Sequence, residues 1–105
     1  MSDNPSISSQ VGSQLLFEND QVRVWDLRIE PGESSGVHRH TTDYLYVVIG
    51  DGTLQGADAQ GNRSEAHAMH DGEVRFNTVD GEAIHQAFNA GDTPWRNIIV
   101  ELKKG

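Results

Sequence analysis

The sequence predicts an all-β fold, built as a small sandwich or barrel. Apolar residues alternate with polar ones over short runs rich in Val, Ile and aromatic residues, which is typical of strands. Clusters of Gly, Asp and Asn interrupt these runs at intervals of about 8 to 12 residues, as turns between short strands do. No segment carries a helical pattern of convincing length, so we expect strands alone to form the core.

The N-terminal part of the chain divides into a polar arm and a strand. Residues 1–14 are rich in Ser, Gln and Asn, and we expect a flexible arm that precedes a single domain over residues 15–105. In the segment QVRVWDLRIEPG, Val22 and Val24 fall on one face of a strand, while Trp25 falls on the other. The segment EPGESSG, with its Pro and Gly residues, ends this strand.

Further short strands are predicted along the rest of the chain. The segment RSEAHAMH contains residues that favour a helix, but it is only eight residues long and lies between two glycines. A strand is therefore the better interpretation. We expect strands at about 37–49, 63–70, 73–77, 83–88 and 95–104.

The composition excludes several classes of function. Sixteen acidic and eight basic residues give a formal net charge of −8, and nucleic acids and anionic membranes bind basic surfaces, so neither is an expected partner. The chain has no cysteine, which rules out disulfides, thiolate metal sites and a cysteine nucleophile. Its start lacks the features of a secretion signal, and no apolar run is long enough to span a membrane, so we expect a cytoplasmic protein.

The segment GVHRHTTDYLYVVIGDG places two histidines directly before an apolar strand. Because residues i and i+2 of a strand share a face, His38 and His40 point to the same side, with Tyr44 further along it. The strand is apolar on both faces, which indicates burial on both sides. Buried imidazoles need partners for their nitrogens, and a transition metal ion is a suitable one. Histidines at the start of a strand are also common at protein surfaces, and that alternative stays open.

A third histidine, His85 in AIHQAFN, lies on a separate predicted strand. Alone it could equally be an ordinary core or rim residue. With the first pair it completes a set of three imidazoles, the smallest protein shell for a catalytic ion with open positions. His67 and His70 fall on opposite faces of a strand, so we expect them at the surface or at an interface, with His67 the better candidate to point inward.

Two segments resemble the motifs of the cupin superfamily, especially its small single-domain bacterial members, one group of which is named for β-alanine degradation. The first cupin motif is resembled by the segment that begins at Gly32. After this glycine and five further residues come His38 and His40, and an apolar strand that ends in Gly follows them. A glycine that opens a strand, with a His and an Asn four residues apart further on, resembles the second motif. Gly72, His85 and Asn89 occupy these positions.

The resemblance implies a cupin-type double-stranded β-helix, a jelly-roll barrel whose mouth holds a divalent transition metal. His38, His40 and His85 are the implied ligands, and the ion could be Fe, Ni, Mn, Zn or Cu. The usual fourth ligand of the superfamily is a Glu, and this chain has Tyr44 at that spacing. Alignment on the glycine that ends the strand selects Asp43 instead, so Asp43, Tyr44, water or no group at all could fill the fourth position.

The resemblance also implies a small-molecule ligand or substrate. We expect an enzyme of the dioxygenase, isomerase or decarboxylase type acting on a small carboxylate, with Tyr44 or Tyr46 as proton or hydrogen-bond donor. Arg23 or Arg28 could bind the carboxylate by a bidentate contact. A non-enzymatic ligand-binding cupin is the alternative, and a metal-free structural dimer is a third possibility.

A homodimer is expected from the size of the chain and from its apolar strands. A barrel of 105 residues has little stability to spare, and an open jelly roll leaves strand edges unpaired. The apolar alternation in LLFENDQVRVW and RNIIVEL supplies more strand than a minimal barrel needs. We therefore expect an N-terminal strand to extend the partner's sheet or to pack on its face.

Overall fold

The computed structural model describes residues 7–103 as strands and connecting loops, with no helix among them. That part of the chain consequently contains no helical segment long and apolar enough to cross a membrane. Its strands are β1 (Gln14–Glu18), β2 (Val22–Ile29), β3 (His38–His40), β4 (Tyr44–Val48), β5 (Gly52–Ala57), β6 (Arg63–Met69), β7 (Val74–Asn77), β8 (Ala83–Asn89) and β9 (Trp95–Leu102).

The strands form two antiparallel sheets, one of five strands and one of four. The five-stranded sheet has the order β1-β2-β9-β4-β7, and the four-stranded sheet has the order β3-β8-β5-β6. Strands that are distant in sequence, such as β2 and β9, are neighbours in space, as in a jelly roll. The predicted all-β fold is confirmed, and the ambiguous segment RSEAHAMH forms strand β6.

Apolar side chains from both sheets meet in one core. In β9 the alternation is regular: Trp95, Asn97 and Ile99 point inward and are buried, whereas Arg96 and Ile98 are partly exposed. Met69 contributes from the four-stranded sheet. The indole Nε1 of Trp95 donates a hydrogen bond of 2.9 Å to Asn97 Oδ1, so burial of this ring leaves no unpaired donor.

The described part of the expected N-terminal arm, residues 7–13, lies against the barrel. Val11 is 1% exposed, and the backbone N–H of Ser13 donates a 2.8 Å hydrogen bond to the carbonyl of Asp26. Gly12 passes so close to Trp25 that a Cβ at this position would lie 2.5 Å from the Trp25 Cβ. The rest of the expected arm, residues 1–6, lies outside the described residues.

The continuous strand expected over 37–49 is instead two strands in different sheets. β3 ends at His40, β4 begins at Tyr44, and the chain turns a corner between them. The carboxylate of Asp43 holds this corner, because its Oδ1 accepts a 2.8 Å hydrogen bond from the backbone N–H of Val79. A period-two pattern cannot reveal such a corner, since alternation continues on both sides of it.

The outer face of the five-stranded sheet carries a band of apolar side chains. One row of cross-strand partners runs Phe17–Val24–Val100–Leu45–Phe76 through all five strands. Ile98, Val47 and Val74 are partners in the next row. Phe17 and Phe76 are 55% and 56% exposed, so solvent reaches both ends of the first row. We refer to these eight residues as the outer apolar face.

Candidate metal centre

The pairing of β3 with β8 brings the three predicted histidines together. His38 and His40 are two residues apart on β3 and share its inner face, and His38 is the direct antiparallel partner of His85 on β8. The ring centroids lie 4.9, 4.7 and 4.9 Å apart for the pairs 38–40, 38–85 and 40–85. One ring nitrogen of each residue lies within 4.8 Å of the others, which is a spacing that one metal ion can bridge.

A backbone carbonyl fixes the orientation of the first ring. Nδ1 of His38 lies 2.9 Å from the carbonyl oxygen of Gly36, which can only accept, so this nitrogen carries the proton and donates. The Nε2 of His38 then keeps its lone pair free for a metal. Metal-binding histidines commonly donate their second nitrogen in this way, which sets both tautomer and ring angle.

The second ring has a buried nitrogen without a protein partner. His40 is 1% exposed, and within residues 7–103 no group hydrogen-bonds its Nδ1. Such an orphaned polar atom is costly, and proteins rarely leave one without a ligand or water. Three imidazoles, one of them with a fully buried and unpartnered nitrogen, therefore fit a bound transition metal, and an all-nitrogen set suits Zn, Cu, Ni or Fe.

Burial keeps all three rings in the neutral form that binds metals. Desolvation, with repulsion from the two neighbouring imidazoles, lowers the pKa of His40 to about 3. Desolvation and the nearby His38 lower the pKa of His85 to about 4. The pKa of His38 is also lowered by burial, although the bond to Gly36 acts in the opposite direction.

Tyr44 forms part of the wall beside the three histidines. Its ring stacks on His40 with centroids 3.8 Å apart and planes inclined by 9°. The pKa of the Tyr44 hydroxyl is raised to about 12, mainly by burial and to a smaller extent by the nearby Tyr46 and Glu101. The hydroxyl is consequently protonated at neutral pH and can donate a hydrogen bond.

The other residues considered from the sequence lie in different places. Asp43 stays in the corner with Val79 and is not part of the group of three histidines. Arg23 pairs with Glu18 and Glu101, and it does not line the cavity described below.

Arg28 lies at the other end of β2 and is also outside the cavity. Its Nε bonds Asp26 at 3.0 Å. His67 and His70 were both expected at the surface, and His67, the better candidate of the two to point inward, lines the cavity. His70 is exposed on the loop after β6, 3.9 Å from Asp51.

A cavity of about 270 Å³ opens beside the histidines between the two sheets. Apolar side chains form part of its wall, and polar groups face it from β4, β6, β7, β8 and β9. Within the described chain its lining contains no aspartate or glutamate. The polar lining residues besides the three ligand candidates are Tyr44, Tyr46, Ser64, His67, Arg75, Asn77, Gln86 and Asn97.

Sequence reasoning did not single out Arg75 or Asn77. In the segment VRFN they alternate with Val74 and Phe76, so the pattern shows that they share a face. The pattern does not show which of the two faces is the inner one. An apolar face would ordinarily be taken as inner, but Val74 and Phe76 belong to the outer apolar face. Pairing of β7 with β4, which sets Arg75 opposite Tyr46, decides this.

Comparison with known proteins agrees with this architecture. The family described as auxin binding protein matches residues 5–103. The chain belongs to this family. Beta-alanine degradation protein BauB of Pseudomonas aeruginosa is 41% identical over 77 residues, covering 72% of this chain and 76% of that protein. Auxin-binding protein T85 of Nicotiana tabacum is 23% identical over 90% of this chain, which spans about half of that relative, 52%.

Solved structures show the same fold. A cupin domain from Bordetella pertussis superposes with a TM-score of 0.74 at 26% identity, covering 87% of this chain and 91% of the other. A sugar phosphate isomerase from a cupin superfamily of Silicibacter pomeroyi gives a TM-score of 0.54 at 28% identity, covering 80% of this chain and 52% of the other. The resemblance to small cupins and the double-stranded β-helix are thereby confirmed.

Proposed function

We propose that this cupin is a metal-dependent enzyme that acts on a small carboxylate. The observation that carries the proposal is the group of three neutral imidazoles, with ring nitrogens within 4.8 Å of one another, in the wall of a cavity of about 270 Å³. A cavity of this size suits a metabolite of a few heavy atoms. The name of the relative from Pseudomonas aeruginosa refers to β-alanine degradation, which supports a small carboxylic acid as substrate.

His38, His40 and His85 would hold the ion, which could be Fe, Ni, Mn, Zn or Cu. A bound ion of this kind supplies Lewis acidity and, with iron, access to dioxygen chemistry. The reaction type would be dioxygenation, isomerisation or decarboxylation. The isomerase named among the similar structures supports a catalytic role for this barrel.

Tyr44 is the proposed catalytic residue. Its hydroxyl belongs to a ring that stacks on His40, and its raised pKa keeps it a donor at neutral pH. It would hydrogen-bond a developing negative charge on the substrate. Asp43 and Tyr44 also remain the candidates for a fourth ligand. The bond from Val79 already occupies one oxygen of Asp43, which supports Tyr44 or solvent over Asp43.

A non-enzymatic ligand-binding protein is the second candidate. The description of the matching family, auxin binding protein, supports it, because binding is the only property that description names. The same cavity and ion would then hold a small acid without converting it.

Metal content and turnover distinguish these candidates. Protein produced without a His tag should contain about one transition metal ion per chain, or bind one after dialysis against Fe, Mn, Ni, Zn or Cu salts. A panel of small carboxylates is then tested for turnover in air and under nitrogen. If Tyr44 is the catalytic residue, the Tyr44→Phe variant should turn over substrate more slowly than the wild type. Turnover supports the enzyme, and saturable binding without turnover supports the binding protein. A chain that binds none of these metals would contradict both.

We propose that the partner of this chain is a second copy of itself. The outer apolar face exposes aromatic and aliphatic side chains across all five strands of one sheet. Contiguous apolar surfaces of this kind mark interfaces in proteins that are otherwise highly charged. The net charge of −8 supports neither a nucleic acid nor an anionic membrane as partner.

A further inference from the structure

Arg75 is the one arginine or lysine among the described residues that line the cavity. It lies on β7, one of the two edge strands of the five-stranded sheet, where it is the cross-strand partner of Tyr46. Asn77, two residues further on, shares its face and is the partner of Tyr44. Arg75 and the three histidines therefore face the same cavity from different sheets.

A neighbouring carboxylate fixes the direction of the guanidinium group. Nε of Arg75 donates a 2.7 Å hydrogen bond to Oε2 of Glu73, and Nη2 contacts the same oxygen. The other oxygen of Glu73 accepts a 3.1 Å bond from the backbone N–H of His70, which anchors the carboxylate. Within residues 7–103 no group hydrogen-bonds Nη1 of Arg75, so its two N–H groups are free for a ligand.

The charge of the cavity favours an anion. The chain has sixteen acidic residues, yet none of the described ones lines this cavity. Glu73 lies outside the lining and orients Arg75 from behind. Among the lining residues, neutral imidazoles and neutral tyrosines leave the guanidinium as the charged group that a ligand meets, with part of its charge offset by Glu73.

The register of the strands limits the length of that ligand. Tyr44 stacks on His40, and Tyr46, the partner of Arg75, lies two residues further along β4. Two residues of a strand span about 6.8 Å. A ligand that spans these two strand positions is therefore a chain of roughly six or seven atoms, since three bonds of an extended chain span at most about 3.6 Å.

We propose that Arg75 determines substrate specificity by binding the distal carboxylate of a short, linear dicarboxylic acid. The proximal carboxylate of that acid would lie at the three histidines. This inference rests on the proposed function, because it takes those histidines to be the metal site. It names Arg75 as a residue that contacts substrate, in place of the Arg23 or Arg28 expected from the sequence.

Calorimetric titration of zinc-loaded protein tests the proposal with matched acids. Succinate and glutarate are compared with butyrate and valerate, which have the same lengths and one carboxylate each. The dicarboxylates should bind severalfold more tightly to the wild type, as expected for a charge-assisted hydrogen bond at a half-exposed guanidinium. In Arg75→Gln that preference should disappear, while zinc content and butyrate affinity stay unchanged.

Two further variants separate a local contact from general effects. Arg75→Lys keeps the charge but not the planar donor group, and it should retain part of the preference. Arg63→Gln removes an equal charge from β6, where the guanidinium covers Phe88 outside the cavity lining, and it should leave the preference intact. Equal binding of mono- and dicarboxylates to the wild type, or an unchanged preference in Arg75→Gln, would overturn the inference.

Failure of the metal site gives a different result. Wild-type protein that takes up no zinc would contradict the proposed function. The same titrations are then carried out on the metal-free protein. A preference for dicarboxylates that depends on Arg75 would still support this residue as the anion contact, and its absence would overturn that role as well.

Discussion

His38 lies directly opposite His85 across the antiparallel pair formed by β3 and β8. This one register brings a residue from the first histidine segment within 4.7 Å, ring centroid to ring centroid, of a residue 47 positions later in the chain. His40 joins them because it shares the face of His38. The candidate metal centre is thus a consequence of strand pairing.

Loss of any one of the three histidines should abolish metal binding. His38→Ala, His40→Ala and His85→Ala each leave two imidazoles, which are too few to hold a transition ion tightly. Bound metal, measured by elemental analysis of untagged protein, should fall to near zero in each variant. His67→Ala and His70→Ala serve as controls and should keep the wild-type content. Full metal occupancy in the first three variants would show that the site lies elsewhere.

The fourth position can be resolved with cobalt as a spectroscopic probe. Tyr44→Phe retains the stack on His40 but removes the hydroxyl, and Asp43→Asn retains an oxygen that can accept the bond from Val79. If the tyrosine contacts the ion, Tyr44→Phe should change the absorption of the cobalt-loaded protein and Asp43→Asn should not. The reverse result would assign the position to Asp43. No change in either variant would indicate three protein ligands.

Gly12→Ala should destabilise the protein by roughly 1–3 kcal/mol, the usual cost of overpacking. The added Cβ would lie 2.5 Å from the Trp25 Cβ, so the N-terminal segment must move away from the barrel. Urea denaturation followed by tryptophan fluorescence measures the change. Ser9→Ala, at an exposed position of the same segment, should leave stability within about 0.5 kcal/mol of the wild type. An unchanged unfolding curve for Gly12→Ala would show that this segment does not dock as described.

A charge placed on the outer apolar face should convert the proposed dimer into a monomer. Phe76→Glu would bury a carboxylate in a two-fold interface, where the same residue of the partner adds a second negative charge. Light scattering at physiological salt should give about twice 11.6 kDa for the wild type and about 11.6 kDa for the variant. Ala66→Glu, on the four-stranded sheet, is the matched control and should remain dimeric. A monomeric wild type would contradict the proposal.

Truncation tests the contribution of the first strand to the same dimer. Deletion of residues 1–20 removes β1, which forms one edge of the five-stranded sheet and contributes Phe17 to the outer apolar face. The truncated chain should be monomeric or unfolded, because it loses apolar contact area and exposes the edge of β2. An unchanged dimeric mass would show that β1 takes no part in association.

Several elements could be predicted because their signal is local. Alternation within a segment such as RNIIVEL can be recognised without knowing which strands pair with it. Strand β9 shows this alternation, with Trp95 and Ile99 buried and their neighbours partly exposed. The motif spacing that resembles cupins also selected His38, His40 and His85, which the structure brings together. The split of the expected strand at residues 41–43 was missed, since a turn into another sheet leaves the alternation intact.

By itself the sequence determined that this chain is all-β, that it excludes cysteine chemistry, and that three of its five histidines are candidates for one metal site. Only the tertiary structure decided which arginine faces the cavity and where Asp43 lies. Arg23 and Arg28 alternate with apolar residues as Arg75 does. The odd or even position of an arginine in its strand therefore does not show which of the three faces the cavity. The pairing of β7 with β4 turns Arg75 inward, and ion pairs hold Arg23 and Arg28 elsewhere. The physical reason is that local periodicity fixes which residues share a face, whereas non-local pairing fixes what that face meets.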